Sequence, residues 1–160
     1  GSMSKSHAMT GSRIGWIVGP ENLVSNLINL ATHTTYGVPG YIQDAALFAL
    51  NQGAPLEYKV AAPFRRRRDA ARAMLATQNI VSLVPSGGAM YLMLDIRATG
   101  HSGTSFAKSL LDARQIAVMP GESFGSAAAG HIRVAMTLDD DAFAEALRAL
   151  LAHAETLSRI

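Results

Sequence analysis

Apolar and polar positions alternate along the chain in a way that separates short buried runs from helical stripes. Ile14-Gly15-Trp16-Ile17-Val18 is an apolar run stopped by Gly19-Pro20, which predicts a buried strand followed by a turn. Pro20 and Glu21 suit a helix start, and Leu23, Leu27 and Leu30 recur at helical spacing through Ala31. From Thr32 to Tyr41 no period survives, and Gly37, Pro39 and Gly40 punctuate a loop before a helix that runs to about Leu50. After the break at Gly53-Ala54-Pro55, Pro63 is expected to start a long helix. It would turn Phe64, Ala71, Met74 and Leu75 to a core and present an arginine-rich surface.

In the second half, Ala89-Met90-Tyr91-Leu92-Met93-Leu94 is apolar at every position, as expected of a central strand covered on both sides. Ser102 to Ser105 can cap a helix bearing Phe106, Leu110 and Leu111. Ile116-Ala117-Val118-Met119 then predicts a short strand stopped by Pro120-Gly121. Ile132, Val134 and Met136 share one face of a further strand, so His131, Arg133 and Ala135 project from the other. Thr137-Leu138-Asp139-Asp140 resembles a capping box with aspartate as its acid. The final helix carries Phe143, Ala146, Leu147, Leu150, Leu151, Ala154 and Leu157 on one side.

Composition narrows this picture. At 160 residues and 49% hydrophobic content, the chain can bury one sizeable core. Its charge of +2 is too small an imbalance to indicate a nucleic-acid surface. Arg65 to Arg68 do not change that reading, because successive helical residues point about 100° apart and the run makes a band rather than a stripe. The sequence has no cysteine, which removes thiolate chemistry and accords with a reducing cytosol. The five histidines lack metal-ligand spacing, and no apolar stretch is long enough for a membrane span. Gly1-Ser2-Met3 reads equally as a tag-cleavage scar and as native chain.

The segment richest in chemistry is Ser2-Met3-Ser4-Lys5-Ser6-His7-Ala8-Met9-Thr10-Gly11-Ser12-Arg13-Ile14-Gly15, where one lysine stands eight residues before one arginine among small hydroxyl residues. A lysine amine can form a Schiff base with an aldehyde cofactor, and serine hydroxyls with an arginine fork can hold a phosphate. From spacing alone, a solvated loop lysine and turn-forming serines explain the same residues. Three landmarks occur in order. They are the lysine segment, Pro120-Gly121-Glu122-Ser123-Phe124-Gly125, and Gly130-His131-Ile132-Arg133-Val134-Ala135. Together they resemble the class I pyridoxal-phosphate-dependent aminotransferases of fold type I, a likeness running from about Ser2 to about Leu157. Ser12 departs from the larger residue, commonly tryptophan, that relatives carry there.

That resemblance implies pyridoxal 5'-phosphate as cofactor, Lys5 as Schiff-base lysine and general base, Ser2 and Arg13 as phosphate ligands, and Arg133 as receiver of the substrate α-carboxylate. Lys5 must lose its charge to act as a base, and burial and Arg13 are expected to favour this. His7 reads either as a cofactor contact or as loop packing, and Tyr36 and Tyr41 either as packing or as reaching across a dimer. The implied fold is an α/β C-terminal small domain. It has a short mixed or antiparallel sheet packed with helices at residues 53–160, preceded at 1–52 by a remnant of the large cofactor-binding domain with exposed apolar surface.

The implied activity is transfer of an amino group between an amino acid and a 2-oxo acid by a cytoplasmic homodimer that binds neither nucleic acid nor membrane. The carboxylate that pairs with the pyridine nitrogen lies outside these residues, so this chain alone is expected to be inactive. Alternatives are a non-catalytic fragment or interaction domain and a carbon-sulfur lyase. The Ser-Lys-Ser-His-Ala-Met-Thr-Gly stretch looks most like members acting on arginine with pyruvate.

Overall fold

The computed structural model describes residues 1–158, which form two compact units, one spanning Gly1–Ala62 and the other beginning at Pro63. The first unit is helical. It holds α1 (Met3–Ser6), a 3-10 turn (Thr10–Ser12), α2 (Glu21–Thr34), α3 (Gly40–Asn51) and the start of α4 (Ala54–Leu75). Its core is small: Met3, Ala46 and Ala49, with Met9, Ile14 and Leu56 packed on them.

The predicted strand at residues 14–18 does not form. Gly15 makes a single antiparallel bridge to Ser2, while Trp16, Ile17 and Val18 are 46%, 65% and 90% exposed. A strand needs a ladder, and no named strand lies among this unit's residues to extend one. α2 forms as predicted, running on to Thr34, yet buries none of its residues.

α4 corrects the expectation that Pro63 starts a helix, because Pro63 lies inside it. The start falls at Ala54, just after Gly53 adopts φ +58. Proline there removes one rung of the backbone ladder, and the two compact units meet at the same residue in sequence. The arginine run is also not simply a solvated band. Arg66 Nε and Arg67 Nε donate to the two oxygens of Asp140 at 2.9 and 2.7 Å, and Arg67 Nη1 donates to the Met136 carbonyl.

The second unit contains β1 (Ser82–Leu83), β2 (Tyr91–Asp95), α5 (Gly103–Arg114), β3 (Met119–Pro120), β4 (His131–Ala135) and α6 (Asp140–Ser158). The sheet order is β1-β2-β4-β3, and every pair is antiparallel. Leu92, Leu94 and Ile132 enter a core with Phe106 and Leu110 of α5, Phe143, Leu147, Leu150 and Ala154 of α6, and Ala71 and Leu75 of α4. The opposite face is only half-covered: Tyr91, Met93 and Asp95 are partly buried, so β2 is central in the sheet without being enclosed on both sides.

Three boundaries move for local reasons. β2 begins two residues later than the apolar run because Ala89 turns through φ +64. β3 is shorter than predicted, since Gln115 ends α5 in a left-handed conformation and pairing begins only at Met119. The cap of α6 is Asp139 rather than Thr137, with Asp139 Oδ1 accepting the Ala142 N–H at 2.9 Å, as a short carboxylate does well. Ser102 caps α5 as predicted, accepting from Ser105 N.

Phe106 is fully buried at the centre of this core. Truncation of Phe106 to alanine should cost about 3–5 kcal/mol, and loss of the cap in Asp139→Ala about 1 kcal/mol, both measured by urea unfolding of the chain. Equal, small effects of the two substitutions would contradict this placement of the core.

Candidate functional site

Two groups of chemistry-bearing residues are built independently, one in each unit. In the first, the N-terminal loop closes on itself. Met3 N–H donates to Ile14 O at 3.2 Å, Trp16 N–H to Gly1 O at 2.9 Å, and Ser2 bridges Gly15. The glycine is required by the close approach, because a Cβ on Gly15 would lie 2.7 Å from Gly1 O. Ser2 caps α1, its Oγ accepting Ser4 N–H at 3.2 Å, so its own O–H stays free to donate. Lys5 stands in the last turn of α1, exposed and without a hydrogen bond or ion pair among the described residues.

Arg13 occupies the left-handed region at φ 53 and ψ 46, an uncommon state for a non-glycine residue. One of its guanidinium nitrogens, Nη1, donates to Thr10 O at 3.0 Å; the others are unspent. The loop therefore carries the Ser2 hydroxyl, the Arg13 fork and the Lys5 amine, and the Ser4 and Ser12 hydroxyls also make no hydrogen bond among the described residues. Such a set fits a phosphate dianion beside an aldehyde. The burial expected for Lys5 is not provided by the described residues, among which it is exposed.

His7 packs into the loop. Its side chain is 3% exposed. Ser6 Oγ has one proton and donates it to Ser2 O at 3.1 Å, so the 2.8 Å contact to His7 Nδ1 runs from the ring to the hydroxyl. Nε2 is buried without a hydrogen-bond partner, at 4.0 Å from Glu57 Oε1.

The second group surrounds Arg133. It sits on β4 opposite Met93 of β2 and Met119 of β3, on the sheet face away from the core. Its guanidinium carbon lies over the Tyr91 ring at 4.2 Å and over the Phe124 ring at 4.7 Å. Among the described residues it makes no hydrogen bond and no ion pair. Asp95 is held by Arg97, with Nη2 at 2.6 Å from Oδ2, and this hydrogen bond keeps the Asp95 carboxyl below its ordinary range despite partial burial.

Glu122 faces inward from the turn that carries Phe124. Its Oε1 accepts Gly103 N–H at 2.9 Å and Gly130 N–H at 3.1 Å, pinning that turn to α5 and to the entrance of β4. Gly130 is at φ +69 and packs so tightly on Arg97 that a side chain there would collide with it. Backbone N–H groups, its own first and then those of Gly130 and Gly103, hold the Glu122 carboxyl below its ordinary value.

The structure thus gathers Ser2, Lys5 and Arg13 in one loop and sets Arg133 in the other unit. Glu122 and Phe124 belong to the second landmark motif, but nothing in the sequence ties them, or Tyr91, to Arg133. By pattern Tyr91 is one more apolar strand position, and only the β2–β4 register places it beside the arginine. Among the described residues no cluster of acids, histidines or cysteines is arranged to hold a metal. No helix among them is long and apolar enough to cross a membrane.

A carboxyl lowered on folding contributes stability above its unfolded pKa and loses it as pH falls through the folded value. Glu122→Gln should therefore be less stable at neutral pH and lose less stability on acidification below about pH 4.5 than the unaltered chain. Urea unfolding across that range checks it; identical pH dependence in both would contradict the assignment.

Comparison with known proteins bears out the family resemblance. The family model for aminotransferase class I and II matches residues 1–150. Arginine–pyruvate transaminase AruH of Pseudomonas aeruginosa is 46% identical over 160 residues, a match covering 99% of this chain and 40% of that protein. An LL-diaminopimelate aminotransferase of Dehalococcoides mccartyi is 33% identical over 141 residues, covering 88% and 36%. Among solved structures, an aminotransferase from Staphylococcus aureus superposes with a TM-score of 0.87 at 33% identity, covering 96% of this chain and 40% of that one. The aromatic aminotransferase of Pyrococcus horikoshii gives 0.88 at 26% identity, covering 97% and 42%. The chain spans about two fifths of the length of these relatives, and it belongs to the class I and II aminotransferase family.

Proposed function

We propose that the full-length protein containing this chain transfers an amino group between an amino acid and a 2-oxo acid, using pyridoxal 5'-phosphate, the cofactor of its family. The observation that carries this reading is Arg133, a cation with unspent N–H donors held over two aromatic rings, in a chain that also presents the Ser2, Lys5 and Arg13 donor set. When bound, the cofactor supplies an aldehyde for the amine and a ring that accepts the electron pair released at the α carbon.

Ser2 Oγ and the Arg13 guanidinium would hold the phosphate, and Lys5 would supply the amine to which the cofactor attaches and the base that moves a proton at the substrate α carbon. Arg133 takes the α-carboxylate through a bidentate pair, which fixes the orientation of the α C–H bond. Residues 1–52 belong to the large cofactor-binding domain and 53–160 to the small domain. Exposed apolar residues such as Leu23, Ile28, Leu30, Tyr36, Tyr41 and Phe48 support burial of the first segment against further chain in a homodimer. We assign that dimer to the cytoplasm.

The 46% identity to an arginine–pyruvate transaminase makes arginine with pyruvate the first pair to assay, with formation of alanine as the readout. In the cofactor-loaded full-length protein, Lys5→Ala should lower kcat by about 10²–10⁴-fold, and Arg133→Lys should raise KM about ten- to hundredfold. Borohydride reduction followed by peptide mapping should label Lys5. Absence of amino transfer across a panel of amino acids, or labelling at another lysine, would overturn the reading. Release of thiol and ammonia from a cysteine conjugate, in place of transfer, would point to lyase chemistry.

A further inference from the structure

The attachment of Arg133 to its surroundings differs from that of four other arginines of this unit. Arg66, Arg67, Arg68 and Arg97 are each anchored to a carboxylate. Arg133 has rings instead, Tyr91 at 4.2 Å and Phe124 at 4.7 Å from its guanidinium carbon. A ring face attracts the cation through its quadrupole without accepting an N–H at a defined lone pair. The head is thereby placed while its donors and net charge remain available. A carboxylate anchor would place it equally well but would quench the charge and occupy the fork.

We infer that Tyr91 and Phe124 are positioning residues for the reaction, a pair of rings that set substrate-carboxylate affinity by orienting Arg133; this rests on the reading of Arg133 as the carboxylate receiver. Two further features support a built arrangement. Tyr91 comes from β2, whose register with β4 is fixed by five paired positions. Phe124 comes from the turn fastened by Glu122 to the Gly103 and Gly130 N–H groups. Each ring is thus delivered by a different element to one side chain. Phe124 is 46% exposed, so it contributes little to the core. The tyrosine hydroxyl makes no hydrogen bond among the described residues, and the ring is the part of Tyr91 that acts.

The test uses the cofactor-loaded full-length protein and two readouts, steady-state kinetics and calorimetric binding of 4-methylpentanoate, a carboxylate without an amino group. Phe124→Leu and Tyr91→Leu keep apolar bulk and remove the ring. Each should raise both KM and the Kd of the probe about threefold to tenfold, with kcat changed less than about twofold. The ring-preserving Phe124→Tyr and Tyr91→Phe should return both constants to near the unaltered protein. Arg133→Lys is the control. If it weakens the probe while the leucine variants do not, the carboxylate reading stands and the ring pair is refuted; if it leaves the probe's Kd unchanged, both fall. Should Tyr91→Leu fail to fold, the exposed Phe124 position decides alone. Weakening that tyrosine at 124 or phenylalanine at 91 does not rescue also overturns the proposal.

Discussion

An arginine with no acid to neutralise it is the constraint around which this chain's second unit is arranged. Charged groups on a half-covered sheet face ordinarily find counter-ions, and the neighbouring arginines do so, Arg97 on Asp95 and the Arg66–Arg67 pair on Asp140. Among the described residues Arg133 has no acid partner, and two acids of this unit bond elsewhere. Asp95 is tied to Arg97, and Glu122 to two backbone N–H groups. What remains for the guanidinium is a pair of aromatic faces, which attract charge without removing it.

The packing beneath explains how such an arrangement is held. Alternation on β2 and β4 sends Leu92, Leu94 and Ile132 into the core and, by the same pleat, sends Tyr91 and Arg133 to the opposite face. Core and site are thus two faces of one pair of strands, and a slip of one residue would bury the arginine and expose the leucines. Gly130 permits the turn into β4, and Glu122 ties that turn to the segment bearing Phe124. The N-terminal loop obeys a different logic. There the close approach of Gly15 to Ser2 shapes a short turn that presents Ser2, Lys5 and Arg13 together.

Helices and strands with a complete pattern of their own are legible in the sequence. α5 with its Ser102 cap, α6 with its apolar side, and the outward direction of Arg133 on β4 follow from periodicity and capping. Residues 14–18 mislead because an apolar run reads as a strand whether or not it has a partner, and the partner is a property of the rest of the chain. Pro63 misleads because tertiary context carries α4 through a residue that usually begins a helix. Lys5, Arg13, Ser2 and Arg133 are marked by motif resemblance; Glu122 and Phe124 lie in a landmark motif too, but their relation to Arg133, like that of Tyr91, depends on strand register and turn geometry that spacing does not encode.

The most direct test of this account is to watch the guanidinium itself. In a 15N–1H spectrum of the cofactor-loaded full-length protein, the Arg133 Nε–H resonance, assigned by its loss in Arg133→Lys, should shift downfield as 4-methylpentanoate is added, because a free fork gains a charge-assisted hydrogen bond. The Arg97 resonance, already bonded to Asp95, should stay in place. A shift of some other arginine, with Arg133 unmoved at saturating carboxylate, would contradict the claim that the structure keeps Arg133 free for substrate.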